Sequence, residues 1–281
     1  MIKHYLKVAF RNLMKYKTQS LVSIIGLAVG FTCFALSALW IRYEMTYDNF
    51  HEGADRIYLV RAHYANEPGT SKFTPYPLMK YLQDKMPEIE AVTAFTAHHV
   101  KFRMEDTEQE IGMIAADSVF MNFFDIQLLK GTVNFLKCDG QEVAITKEFA
   151  KRLFSKKEDA LGKEVEVGRR VCKIGAIVSG WSNHSNIPYN ILAPARHSPR
   201  WGSSNEQLFI RVRERTDIDA FRTKMSTIRI NDIEKESELS DLLITRMSAL
   251  RYSDYVDKAD VVISFSYIFY FSLAGGLVII C

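Results

Sequence analysis

The 281 residues are enough for one or two domains with a sizeable core, which excludes a peptide or a disulfide-stapled mini-protein. With 48% hydrophobic and 25% charged residues and only 14 Gly and 7 Pro, the composition also excludes a disordered or collagen-like chain. The 36 basic and 33 acidic residues nearly cancel at +3, but every acidic residue lies between Glu44 and Asp260, and residues 1–17 hold Lys3, Lys7, Arg11, Lys15 and Lys17 with no acid. From Glu44 onward 30 basic residues face 33 acidic ones. A nucleic-acid binder places its excess positive charge on the folded domain, so no nucleic-acid partner is expected.

In chain order, Lys3, Lys7, Arg11 and Lys15 recur every four residues beside Ile2, Leu6, Phe10, Leu13 and Met14. On a helix this is a basic stripe next to an apolar one, the pattern of a helix lying in the membrane interface with its cations near lipid headgroups. A positive-inside signal without fixed structure is the alternative. Between Lys17 and Arg42 come 24 residues without a charge, more than the roughly 20 that a helix needs to cross the hydrocarbon core, so a transmembrane helix is assigned to 18–43. The basic leader places the N-terminus in the cytoplasm and the residues after the span on the opposite side of the membrane. Trp40, Tyr43 and Tyr47 at the outer end and Tyr16 at the inner end are expected at the two membrane interfaces. A cleaved signal peptide with Ala35 and Ser37 at its cleavage site is the competing reading; the long apolar run and basic leader argue against it. Gly26 and Gly30 form a GxxxG pair through which another helix could approach closely.

Residues 44–260 mix β and α patterns. Arg56 to Ala65 is rich in β-formers. Thr74-Pro75 is expected to start a helix over 76–86, which Pro87 stops, and extended sequence comes next from Ile89 to Met104. The same strand, helix and strand order returns with Leu208 to Val212, a helix from Asp217 to about Glu236 opened by Thr216 and Asp219, and Leu242 to Met247. Two such units imply a split βαβ, ferredoxin-like subdomain from 55–104 and 206–250. The 105–205 stretch is then a β-rich insertion: a strand near Glu110 to Ala115, a short helix from Ser118 to Phe124, a strand over Val143 to Ile145 leading into a helix to Phe154, and a hairpin turning at Gly168-Arg169. A second charge-free run, Val261 to Cys281, is 21 residues long and carries Gly275-Gly276, read as a second transmembrane helix with a close-packing site. The expected fold class is α+β with membrane anchors at both ends.

Chemistry-bearing patterns are few. GxxxxGK[ST] does not occur, so no P-loop holds a nucleotide and no cofactor is expected in this chain. None of the seven histidines has metal-ligand spacing, and adjacent His98 and His99 on a strand point to opposite faces. No GxSxG elbow frames a nucleophile. Cys138 and Cys172 share one compartment, where either a disulfide or two thiols is compatible with a core of this size. The spacing of Phe120, Phe123 and Phe124 suits core packing better than an exposed binding face.

The leader KHYLKVAFRNLMKYK, the run YEMTYDNFHEGADRIYLVR, and then DSVFMNFFDIQLLKG, EVAITKEFAKRLF and DALGKEVEV resemble the FtsX/MacB family of ABC transporter permeases, in the large form common among Bacteroidetes-type bacteria. The resemblance runs to about Pro194. It implies a porter-like subdomain with an inserted sabre-like one on the periplasmic side of the inner membrane. It also implies no catalysis in this chain, ATP bound by a separate cytoplasmic ABC ATPase subunit, and export as the task of the assembly. Other permease copies at the transmembrane helices, inner-membrane lipids and a periplasmic adaptor are the further partners implied. Family members continue beyond the second span into an ATPase-gripping segment, so a chain ending at Cys281 is expected to be a shortened or auxiliary form. The family's turn after the strand at Val171 to Val178 resembles Pro-x-Asn-Ser-His, where this sequence has Gly180-Trp-Ser-Asn-His-Ser185. A membrane-anchored ligand-sensing module is the alternative from a different class.

Overall fold

Strand β1 (Ile57–Tyr64) feeds two cores at once. Tyr58, Val60 and Ala62 point to one side of the sheet and Ile57 and Leu59 to the other, as the two-residue period of a strand requires. The computed structural model describes residues 2–64, 69–105, 107–137, 141–154, 160–181, 184–230, 239–252 and 270. It divides into an N-terminal unit ending at Thr46 and a second unit beginning at Tyr47.

The N-terminal unit holds helix α1 (Ile2–Lys15) and helix α2 (Lys17–Met45), separated at Tyr16, whose φ of −110° and ψ of 54° lie outside the helical region. Among the described residues α2 is the one helix long and apolar enough to cross a membrane. Leu21, Val22, Ile25, Phe31 and Leu39 on it are exposed, as in a helix that lipid covers. The second expected span, 261–281, lies outside the described residues apart from Tyr270.

In the second unit, β1 is followed by the short strands β2 (Thr70–Ser71) and β3 (Thr74–Pro75), helix α3 (Pro77–Lys85) and strand β4 (Ile89–Met104). Thr74 and Pro75 pair with a later strand and do not open α3; its N-cap is Tyr76, and the proline that lacks an N–H in the first turn is Pro77. Next come β5 (Thr107–Ala116), α4 (Ser118–Phe123), β6 (Leu128–Gly131), β7 (Glu142–Thr146), α5 (Lys147–Leu153), β8 (Glu164–Val167), β9 (Arg170–Val178) and β10 (Ile191–Pro194). The order closes with β11 (Ser204–Val212), α6 (Ile218–Ser226) and β12 (Leu239–Arg246). Helix α6 stops at Ser226, well short of Glu236, and its N-cap is Asp217, whose carboxylate accepts from the N–H groups of Asp219 and Ala220.

Strands β12, β1, β11 and β4 lie side by side in that order, every neighbour antiparallel, with α3 joining β1 to β4 and α6 joining β11 to β12. This is the split βαβ arrangement. Leu78 and Leu82 of α3 and Phe221 and Met225 of α6 are buried against Tyr58, Val60, Leu208 and Ile210. Each such side chain contributes about 1.5–3 kcal/mol by leaving water.

Strand β4 is 16 residues long because it serves two subdomains. Its Ile89–Phe95 half pairs with β11, and from Thr96 to Met104 it pairs with β5. The partner changes inside the strand, not at its end. Beyond it β5, β10, β7, β9 and β6 continue a mixed sheet, and the β8–β9 hairpin turns at Gly168, whose φ of +65° suits glycine. Phe102, Ile145, Phe149 and Ile174 form the insertion's own core. Phe95, Phe120, Phe124 and Phe209 fill the core where the two subdomains meet, with Phe95 4.9 Å from Phe120 and 5.5 Å from Phe209 between ring centroids.

Candidate functional site

Residues 47–56 form a strap between the end of α2 and β1. Its first half is built around Asp48, fully buried and held at φ +57°, a region that Asp tolerates better than most residues. The Asp48 N–H donates to the His184 carbonyl at 3.2 Å. Its carboxylate accepts from the Asn186 backbone N–H at 3.1 and 3.3 Å and from Asn186 Nδ2 at 2.6 Å. Burial pushes the Asp48 carboxyl above the usual carboxylate range, and hydrogen bonds from Ser185 and Asn186 and the nearby His184 partly offset this. The ring of Tyr47 lies 3.9 Å from that of His184. Tyr47 is therefore buried inside the second unit.

The strap's second half reaches the other subdomain. Arg56 donates from Nη1 to Glu90 of β4 at 2.6 Å and to the Val212 carbonyl of β11 at 3.1 Å. One short segment is thus bonded to the 184–186 turn of the insertion at one end and to the split βαβ sheet at the other.

Between these anchors His51 packs among aromatic rings, 5.1 Å from Phe124 and 4.9 Å from Trp181 between centroids. Burial, and then the positive charge of Arg211, push the imidazole down to about 4, so it is neutral near pH 7. Trp181 is fixed by its indole N–H, which donates to the Ile187 carbonyl at 2.9 Å, and by the ring of Tyr189 4.6 Å away.

A second connection closes the return from insertion to sheet. His197, just beyond β10, stacks on Tyr76 at 4.0 Å with the planes 6° apart. Its Nδ1 is 3.2 Å from Glu206 of β11 and its Nε2 is 3.8 Å from Asp117, the N-cap of α4. Glu206 is buried, and burial, followed by the charges of Asp117 and Glu206, pushes the Tyr76 phenol up.

The family model of the MacB-like periplasmic core domain matches residues 20–228. The chain belongs to this family. Three solved structures are similar to it. A domain of a protein named as a permease from Porphyromonas gingivalis is 18% identical, with a TM-score of 0.56, covering 70% of this chain and 91% of that one. The extracellular domain of the noncanonical ABC-type transporter YknZ from Gram-positive bacteria is 14% identical, with a TM-score of 0.50, covering 67% and 99%. The periplasmic region of MacB from Actinobacillus actinomycetemcomitans is 12% identical, with a TM-score of 0.49, covering 70% and 92%. No curated protein matches the sequence.

None of the site residues expected from the sequence of this MacB-like chain belongs to the strap segment 47–56. Lys7, Arg11 and Lys15 are exposed along α1, Lys17 opens α2, and the Lys3 backbone is helical. Gly26 has open space where a side chain would begin, while Gly30 is buried. Gly275 and Gly276 lie outside the described residues. So does Cys138; Cys172 is buried on β9. Among the described residues no group of His, Cys, Asp and Glu could hold a metal ion, and His98 and His99 are exposed. Phe120, Phe123 and Phe124 are core residues. Asp48, Asn186, His197 and Glu206 were not singled out by the sequence; the one signal was the departure at 180–185, of which the structure places Trp181 and His184 against the strap.

Proposed function

We propose that this chain is a permease-type membrane subunit of an ABC transporter or mechanotransmission complex, in which ATP is bound and hydrolysed by a separate cytoplasmic subunit. In this reading α1 lies on the cytoplasmic leaflet, α2 crosses the inner membrane, residues 261–281 return to the cytoplasm and the MacB-like domain is periplasmic. The basic leader and the apolar α2 support that orientation. Displacement of α2 by the ATPase is passed along the chain to the strap, and the domain converts it into periplasmic movement that drives export. The observation that carries this reading is the double anchorage of residues 47–56, through Asp48 to Asn186 and through Arg56 to Glu90. A pull on the end of α2 is thereby delivered to both subdomains at once. Neighbouring permease copies would pack on α2 at Gly26 and Gly30, and on the second span at Gly275 and Gly276.

Affinity purification of the tagged full chain from its native membranes in mild detergent tests the reading. A Walker-motif ATPase is expected to co-purify, and ATPase turnover of that complex is expected to change when Asp48→Ala uncouples the strap. Recovery of the folded chain without an ATPase would refute the reading in favour of a ligand-sensing module. In intact spheroplasts external trypsin is expected to cut within 47–260; protection of that region would reverse the orientation.

A further inference from the structure

The strap, the turn after α4 and the Gly180-Trp181 segment enclose a cleft of about 410 Å³, within the range of small-molecule sites (about 300–1,000 Å³). Its walls are the rings of Phe50, Phe124 and Trp181; Phe50 is 43% exposed although the other two pack inward. At its floor His51 is nine-tenths buried, and its Nε2 has no hydrogen-bond partner among the described residues. A buried polar atom left in that state has a cost that a ligand group can remove. Glu52 and Asp125 stand exposed at the rim, neither in an ion pair among the described residues, and Asp125 is presented by a left-handed turn at φ +53°. No basic side chain lines the cleft among the described residues.

These groups select one ligand chemistry. The two carboxylates only accept hydrogen bonds, and a neutral imidazole has one nitrogen free to accept. Aromatic faces attract cations, most strongly when water is displaced. Beside the Ser179 hydroxyl, which can also donate, and the Trp181 N–H, which is bonded to Ile187, the side-chain polar groups of the lining can accept. The two rim carboxylates outnumber the one nearby cation, Arg211, whose charge acts on His51, and the walls are π-surfaces. From this arrangement we infer that the cleft is a binding site for a guanidinium or primary ammonium group, seated against Trp181 and Phe124 and bonded by Glu52, Asp125 and His51. The group belongs either to a free organic cation or to an arginine or lysine side chain of a polypeptide partner. Because the cleft lies on the strap, its occupant would stiffen the segment that joins α2 to the domain. The site itself does not depend on the transport reading, since binding needs no ATPase.

Isothermal titration calorimetry on the full chain in detergent micelles, at pH 7 and about 0.1 M salt, tests it with N-acetyl-arginine amide as probe and the uncharged N-acetyl-citrulline amide as control. Saturable binding of the arginine probe, at least about tenfold weaker binding of the citrulline one, and at least about tenfold loss in Glu52→Gln/Asp125→Asn are expected. Both substituted positions are exposed, so the variant is expected to keep its thermal midpoint; each single variant provides the same test if the pair does not fold. Equal binding of the two amides, no saturable binding of the arginine amide, or affinity unchanged in the variant overturns the proposal. A capped Ala-Ala-Arg-Ala-Ala peptide separates the sources. Tighter binding than the amide supports a polypeptide occupant, and exclusion of the peptide with retention of the amide supports a free cation.

Discussion

Asp48 and Asn186, 138 positions apart, are joined through one carboxylate that receives both the backbone and the side-chain amide of the asparagine. The bond closes the first residues of the strap onto a turn of the insertion, and it does so in a buried place where an unpaired amide is costly.

Asp48→Ala leaves those amides without an acceptor and puts an alanine at φ +57°. Together these cost about 3 kcal/mol, or about 6–12 °C in thermal midpoint for a domain of this size. Asp48→Gly loses the same bonds but not the backbone fit, and is expected to melt higher than Asp48→Ala by the equivalent of about 1 kcal/mol. Thermal unfolding followed by near-ultraviolet circular dichroism checks both; equal melting of the glycine and alanine variants would exclude the backbone contribution.

Stability should depend on His51 in a defined acidic window. Its folded value, about 4, lies below the ordinary 6.5, so between these limits the unfolded chain binds the extra proton. Stability from this group is complete above about pH 6.5 and is lost as pH falls toward 4, by up to about 3 kcal/mol. Asp48 acts in the opposite sense, since its raised value makes the folded chain the better proton acceptor and its contribution declines as pH rises above the ordinary 3.8. His51→Phe should therefore flatten or reverse the slope of denaturant midpoint against pH from about 4.5 to 6.5. An unaltered slope would show that the imidazole is not buried neutral.

The contact of His197 with Glu206 predicts strong non-additivity. His197→Leu removes the imidazole that lies 3.2 Å from the buried Glu206 and is expected to cost about 1–3 kcal/mol, while Glu206→Leu added to it restores part of that loss. A double-mutant cycle by urea denaturation measures the coupling, expected above about 1 kcal/mol; a value near zero would mean that the two groups do not interact.

Gly131 closes β6 against β9. Its φ is +85°, and a Cβ there would collide with the Gly175 carbonyl oxygen, a backbone atom with little room to retreat. Gly131→Ala is expected to lose about 2–4 kcal/mol and to raise hydrogen exchange at the β6–β9 pairs Leu128–Val178 and Lys130–Ile177 before the rest of the sheet. Uniform exchange across all strands would instead indicate that this edge does not open separately.

Local patterns were legible wherever one element carries its own signal. The richness of Ile57–Tyr64 in β-formers, helical spacing in Leu78 and Leu82, the turn at Gly168 and the charge-free run of α2 are properties of adjacent residues, and the two strand–helix–strand orders led to the four-stranded antiparallel arrangement. Boundaries read from composition were less sure. Thr74-Pro75 carries the marks of a helix start and yet pairs with β11, because the strand's open backbone groups were available and Tyr76-Pro77 could begin α3 two residues later. Helix α6 ends at Ser226 although helix-forming residues continue.

The sequence by itself determined that α2 is long and apolar enough to cross a membrane, the α+β class and the family resemblance, since each rests on runs and periods along the chain. Only the tertiary structure decided that Tyr47 is buried on His184, that Asp48 meets Asn186 and that His51 lies within an aromatic cleft. Those contacts join segments more than 70 residues apart in sequence, as in the pairing of His51 with Phe124 and Trp181. A polar residue in a turn carries no mark of its distant partner, because the burial that gives the contact its energy exists only after the sheets have packed.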